Sequence, residues 1–296
     1  MQVKLIQHND IDYESWDKHI SQSTNQLSYA FTWYLDIVSP NWVALITKNY
    51  EYIMPLPVKR RYGLPYLVQP ILTQQLGIFS KLPIDENIVQ QFIKELPSFS
   101  YELNLNEDNF HPLAIALPNF ILNLNQPYNL ISSKYSKNTK RNIEKAIKLK
   151  LRVKFDISYV DFFSFYFSVH KNSDTPLQSV LLNLVERGLN EKAMKLYGVF
   201  TAENVMVAAL CLMHSEKRLT YLMPISNQLG KESSAMFYLI DHIIRHEAEK
   251  NKIFDFEGSR IEGVARFYQG FGAINQPYYI LKHFRPSFLI RKKNKK

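Results

Sequence analysis

The stretch "IFDFEGSRIEGVARFYQGFGA", residues 253–273, concentrates groups able to move protons. Asp255 and Glu257 are two positions apart in its strand-like opening, so an extended backbone points both the same way while Phe254 and Phe256 point the other. Two carboxylates on one strand face suit removal of a proton from an attacking ammonium group, or the holding of a positively charged acceptor. Arg260 and Arg266 follow closely and either pair with these carboxylates or join the acceptor-binding set. Tyr268 carries a phenol, ordinarily with a pKa of about 10, suited to protonating a departing sulfur or oxygen. Its alternative role is packing between Phe267 and Phe271. Gly258 and Ser259 end the strand, where glycine permits a turn that opens the sheet edge.

Other stretches could hold anions. In "NQLGKESSA" a polar loop leads into a helix, and Gly230, Lys231, Ser233 and Ser234 could hold a phosphate or acyl donor through backbone N–H groups and one ammonium. Ser233 or Ser234 could equally be an ordinary helix cap. "KYSKNTKRNIEKAIKLK" predicts a basic helix capped near Ser132 or Ser133, with Ile143 and Ile147 on its apolar side and Lys137, Arg141, Lys145 and Lys148 along one stripe. Lys140, Arg141 and Lys145 are candidates for gripping phosphates. The competing reading is a solvated face on which Glu144 pairs with Lys148. "VKRRYG", with Lys59, Arg60 and Arg61 at a turn, is a second basic candidate. His242 and His246 have helical metal-ligand spacing without a third ligand, so no metal is expected.

These residues need a scaffold. The 296 residues, 46% hydrophobic and 14% aromatic, allow two ordinary domains with real cores. A net charge of +9 favours a polyanionic partner without choosing among RNA, a nucleotide and anionic lipid. The one cysteine, Cys211 within "VMVAALCLM", excludes internal disulfides and thiolate metal clusters, predicts a buried inert thiol and fits a reducing compartment. No run is long and apolar enough to span a membrane, which predicts a cytoplasmic protein. The basic ending "FRPSFLIRKKNKK" is either a solvated tail or a peripheral contact with anionic lipid or nucleic acid.

Periodicity gives the same order twice: a strand, two helices, three strands, a helix and closing strands. In the first half "YEYIMPLPVKRRYG" is expected as one strand of a meander. In the second, "KLYGVF", "VMVAALCLMH" and "RLTYLMPI" are followed by the helix "AMFYLIDHIIRHEAEKN" and the strand "KIFDFEG". A domain of residues 1–131, a basic linker helix over 132–150 and a second domain of residues 151–296 follow.

This element order, the "NQLGKESSA" loop and the ending "ARFYQGFGA" resemble the acyl-CoA N-acyltransferase (GNAT) superfamily. The basic "SKNTKRNIEKA" helix before the second half resembles the tandem, FemABX-like peptidyltransferases within it. The resemblance implies an α/β (α+β) fold of two tandem GNAT-like domains, each a mixed, mostly antiparallel sheet flanked by helices. It implies an N-acyltransferase or aminoacyltransferase acting on a primary amine, with acyl-CoA or aminoacyl-tRNA as co-substrate and no tightly bound cofactor. The acceptor would be a nucleotide- or lipid-linked envelope precursor, or a lipid or small amine outside envelope synthesis. Tyr268 would serve the leaving group, Glu257 or Asp255 the amine, and Gly230 to Ser234 the donor. The loop holds a single glycine, and Tyr268 stands where the peptidoglycan enzymes commonly carry lysine, "FK..FG". The rival is a non-catalytic GNAT-fold module that binds RNA or anionic envelope precursors through its basic helix.

Overall fold

A computed structural model describes residues 1–97, 100–170 and 175–283. The basic ending "FRPSFLIRKKNKK" lies outside the described residues. The chain forms two compact units: residues 1–117 together with the segment from 277, and residues 118–276.

In the first unit, β1 (Lys4–Ile6) leads to α1 (Tyr13–Gln22), whose start is capped by Asp12 accepting from the Ser15 N–H at 3.1 Å. Asp17 on α1 accepts from both the Thr32 N–H and hydroxyl, fixing the start of α2 (Thr32–Val38). β2 (Val43–Ile46) and β3 (Tyr52–Leu56) follow. Pro57 ends β3, and the chain enters a different sheet as β4 (Val58–Arg61), so the single strand expected here is two. Proline has no N–H to continue the ladder. β4 turns through Tyr62 and Gly63, both at positive φ, into β5 (Leu64–Val68). β6 (Phe79–Ser80), α3 (Glu86–Lys94), β7 (Tyr101–Leu105) and β8 (Ile115–Leu117) complete the first pass.

The second unit begins with β9 (Phe120–Asn123), α4 (Tyr128–Ser133) and α5 (Lys137–Lys148). β10 (Arg152–Phe155), α6 (Tyr159–Val169) and α7 (Thr175–Asn190) precede the long strands β11 (Met194–Phe200), β12 (Met206–His214) and β13 (Arg218–Ser226). After them come α8 (Gln228–Glu232), α9 (Ala235–Glu247), β14 (Ile253–Asp255), α10 (Glu262–Gln269) and β15 (Ile274–Asn275). The sheet order is β10-β11-β12-β13-β14-β9-β15, antiparallel except for β13 with β14, which α9 connects as a crossover. Cys211 is fully buried on β12, and burial raises its thiol to about 12.

The chain then returns to the first unit as β16 (Tyr278–His283), which lies between β7 and β8 in the sheet order β4-β5-β7-β16-β8; the other sheet there is β1-β2-β3-β6. The junction expected at 131/132 is therefore replaced by crossings at 117/118 and 276/277. "NFILNL", assigned to the first domain, pairs with β14 of the second unit, and Tyr278–His283 of "YYILKHF", assigned to the second, pairs within the first. Each returning strand covers hydrogen-bonding groups that an open edge would leave unpaired.

One consequence is acid sensitivity. His214, at the end of β12, lies 3.1 Å from the Tyr197 hydroxyl, and burial, aided by Lys195, depresses it to about 4 from 6.5. A depressed group contributes stability above its unfolded pKa and loses it as pH falls through the folded one. The urea midpoint should therefore fall between pH 6.5 and pH 4, and His214→Gln should flatten that limb.

Candidate active site

β13 and β14 pair only from Arg218↔Ile253 to Thr220↔Asp255. β14 then ends, while β13 continues from Tyr221 to Ser226 alongside β12. The β12–β13 register shifts between Cys211 and Leu212, which passes over Leu222, just beyond the last pair with β14. A bulge there bends β13 where its parallel neighbour stops. The parallel pair thus opens at its C-terminal end.

Asp255 and Glu257 do not share a strand face at this opening. Asp255 accepts from Arg218 Nη1 at 2.6 Å, with side chains 1% and 6% exposed, and its second oxygen accepts from the Glu257 N–H at 2.9 Å. Asp255, for which the sequence left open a role as base or acceptor ligand or a pairing with Arg260 or Arg266, is a buried partner of Arg218 and a brace for the next turn. Glu257 lies past the end of β14 at φ 60, half-buried, with its carbonyl accepting from the Phe120 N–H. Strand alternation fails because the strand has already ended.

Tyr268, near the end of α10, is brought to the same place. Its ring lies 5.0 Å from that of Phe256 and 6.0 Å, edge-on, from that of Tyr221 on the splayed part of β13. Burial, and then the charges of Glu257 and Asp255, push its phenol above the ordinary value. The hydroxyl is kept neutral, within electrostatic reach of the half-buried Glu257 carboxylate. The packing reading and the catalytic reading of Tyr268 are therefore compatible, since the ring packs and the hydroxyl stays protonated.

Of the glycines that follow, Gly270 serves contact with the start of α5 and Gly272 with Lys134 at the end of α4. The Gly270 carbonyl accepts from the Ser136 N–H at 2.9 Å, and a Cβ on Gly270 would lie 2.5 Å from Thr139 Oγ1. Gly272 has φ +82 and its added Cβ would lie 3.1 Å from Lys134 Cβ. The "QGFG" ending thus fits against the stretch from Lys134 to Thr139. The cap of α5 is Ser136, accepting from the Thr139 N–H, rather than Ser132 or Ser133, which belong to α4. Its buried face is Thr139, Ile143 and Ala146, whereas Ile147 is 55% exposed because it falls outside that stripe.

The "NQLGKESS" segment is helical rather than a loop. Asn227 caps α8, its side chain accepting from the Gly230 N–H at 2.8 Å, so that amide is committed inside the protein. Gly230 is buried and passes so close to the Val207 carbonyl on β12 that a Cβ would collide with backbone. The glycine serves helix-on-strand packing instead of exposing amides. Ser233 donates to the Gly230 carbonyl, and Lys231 is exposed. Ser234, at φ 60, does not cap α9; its hydroxyl donates to Asn142 Oδ1 on α5 at 2.7 Å. Gly230→Ala should lower unfolding stability by about 1–3 kcal/mol in urea titration, because the obstruction is main chain. Gly263→Ala, with nothing within 4 Å, should add up to about 1 kcal/mol by helix propensity.

The Ser234–Asn142 bond joins two features separate in the sequence, the start of α9 and the basic helix. Arg141 and Lys145 flank Asn142 on α5 and, with Lys140, are exposed. Arg141 donates to Asn138 Oδ1 and Lys140 to the Ser133 carbonyl. Arg266 pairs with Glu262 on its own helix and Arg260 is exposed before α10. Lys59, Arg60 and Arg61 are on the β4–β5 hairpin of the other unit. His242 donates to the Tyr238 carbonyl and His246 to Glu247, and among the described residues no group of His, Cys, Asp and Glu is placed to hold a metal ion. Sequence reading missed Arg218, Asn227, Asn142 and Thr139. Only Asn227, three residues before Gly230, carried a local signal, that of an N-cap.

No family model and no curated protein matches the sequence. Among solved structures, FemX aligns with a TM-score of 0.70 over 98% of this chain and 99% of its own, at 10% identity. The C-terminal domain assigned to a lysylphosphatidylglycerol synthetase of Agrobacterium fabrum gives 0.58 over 91% and 90%, at 11% identity. A tandem GNAT protein of the clavulanic acid biosynthesis pathway gives 0.50 over 95% and 98%, at 10% identity. The chain has a FemABX-like tandem GNAT fold. Among the described residues no helix is long and apolar enough to cross a membrane.

Proposed function

We propose that this protein transfers an aminoacyl group from an ester on a polynucleotide, an aminoacyl-tRNA, to a primary amine. The observation that carries the reading is the opening of β13 from β14 with Tyr268 and Glu257 beside it. The fold is shared with FemX and with the lysylphosphatidylglycerol synthetase domain, whose name describes a lysyl-bearing product, and this supports testing aminoacyl transfer first.

The amine nitrogen attacks the ester carbonyl, the N–C bond forms, and the C–O bond to the ribose breaks. Glu257 accepts the proton lost by the amine, and Tyr268 gives one to the departing oxygen. N–H groups on the length of β13 beyond Thr220 would hold the oxyanion. Asp255, with one oxygen on Arg218 and the other on the Glu257 N–H, serves to position Glu257.

Features of the site favour an ester over a thioester donor. Tyr268, held above the usual phenol range, matches an alkoxide better than a thiolate, which leaves readily without a proton. The Gly230 N–H, a candidate for cradling a pyrophosphate, is used by Asn227. The exposed cations of α5 beside the start of α9 suit a phosphate backbone, each contact adding salt-dependent affinity. An acceptor linked to a nucleotide or lipid of the cell envelope belongs to the same reading, with Lys140, Arg141, Lys145, Arg260 and Arg266 as candidate anion contacts.

The test is single-turnover transfer of a labelled amino acid from aminoacyl-tRNA to a panel of primary amines, beside thermal shifts with tRNA and with acetyl-CoA. Amide formation with a stabilising response to tRNA is expected. Stabilisation by acetyl-CoA, with acetyl transfer and no response to tRNA, would sink the ester reading. tRNA binding that never leads to transfer would favour a non-catalytic module, a reading suggested by the exposed basic face of α5.

A further inference from the structure

The second unit holds a groove of about 620 Å³ against α6, between β10 and the turn joining β11 to β12. Its floor is apolar, with Phe165 and Phe200 each 8% exposed and Met206 half-buried. Its rim carries both charges. Lys154 lies with Nζ 4.4 Å from the centre of the Phe200 ring, and Asp156 follows two residues later. Among the described residues Lys154 pairs with no carboxylate and Asp156 with no cation. They do not pair with each other, because Lys154 lies over Phe200 and the chain turns away at Asp156, whose φ is 60. Asp161, the other acid on the rim, is occupied: it accepts from the Ser158 hydroxyl at 2.7 Å, while its own N–H is capped by Ser158.

A concave surface with an apolar floor and a few convergent polar groups is the usual form of a small-molecule site. Opposite charges on one rim, neither paired with an opposite charge among the described residues, complement a ligand that carries both. We infer that this groove binds a free α-amino acid with an apolar side chain. Lys154 takes the carboxylate, Asp156 the ammonium, and the side chain lies on Phe165 and Met206. A purely anionic or cationic ligand would bring a like charge against one member of the pair. The inference does not rest on the transferase reading, because none of these residues belongs to the proposed transfer site.

The test is calorimetric titration of the full chain with L-leucine, L-leucinamide and N-acetyl-L-leucine. L-leucine should bind saturably. The amide, lacking the carboxylate, and the acetyl derivative, lacking the ammonium, should each bind about tenfold more weakly or worse. Lys154→Ala should bring leucine down to leucinamide, and Asp156→Asn should bring it down to N-acetyl-leucine. Both positions are exposed, and an unchanged melting temperature will show that the variants fold. Tyr268→Phe should bind leucine as the parent does. Absence of saturable binding at millimolar leucine, equal binding of the three compounds, indifference to both groove variants, or loss of binding in Tyr268→Phe would each overturn the assignment.

Discussion

Tyr268→Phe should lower turnover in aminoacyl transfer by about 10²-fold to 10⁴-fold, the range expected for losing a positioned general acid. Phenylalanine keeps the ring against Phe256 and Tyr221, so the core loses a hydroxyl and little packing. Unfolding stability should stay within about 1 kcal/mol of the parent. The loss should fall in kcat rather than in KM, and it should shrink when the ribose ester is replaced by an activated ester whose leaving group needs no proton. Because burial and the neighbouring carboxylates raise the phenol, it remains protonated through pH 10, and turnover should not fall there through its ionisation. A variant as fast as the parent on the ribose ester would remove Tyr268 from the mechanism.

Asp255→Ala should cost about 3–5 kcal/mol of unfolding stability, the size expected when one member of a buried ion pair is removed. Arg218, 6% exposed, would be left charged without its carboxylate, and the Glu257 N–H would lose its acceptor. Replacing the pair together, as Arg218→Met with Asp255→Leu, should recover most of that stability, because apolar residues of similar size avoid the stranded charge. Turnover should not recover with it, since the turn that presents Glu257 is still unbraced. Urea unfolding of the single and double variants measures the first effect, and single-turnover transfer the second. If the single substitution costs less than about 1 kcal/mol, the pair is not the brace described here. If the double variant transfers at the parental rate, Asp255 does not position Glu257.

The sequence announces what is local. The helical periods of α5, α9 and α10 and the apolar run of β12 are visible as patterns, and so is the order that places a crossover between "RLTYLMPI" and "KIFDFEG". The convergence of Tyr268 and Glu257 follows once that order is placed on the fold. What is hidden depends on distant partners. Arg218 looks like one more turn residue until the parallel register of β13 and β14 puts it beside Asp255. Gly230 suggests an anion loop because the Val207 carbonyl that requires it is on another strand. Asn142 is a polar residue in a basic helix until Ser234 reaches it from the start of α9. The exchange of β9 and β16 could not be read either, because a strand's residues record that it is buried and not which sheet buries it.

That exchange bears on the order in which the protein is made. The strand between β7 and β8 is β16, so the first unit lacks an interior strand of its larger sheet until about 180 residues have followed α3. The second unit, by contrast, is one uninterrupted stretch, residues 118–276. Synthesis therefore completes the second unit's chain before the first can close its sheet, reversing the usual N-to-C order of domain folding. A stop codon just before Tyr278 would accordingly damage the beginning of the protein rather than its end.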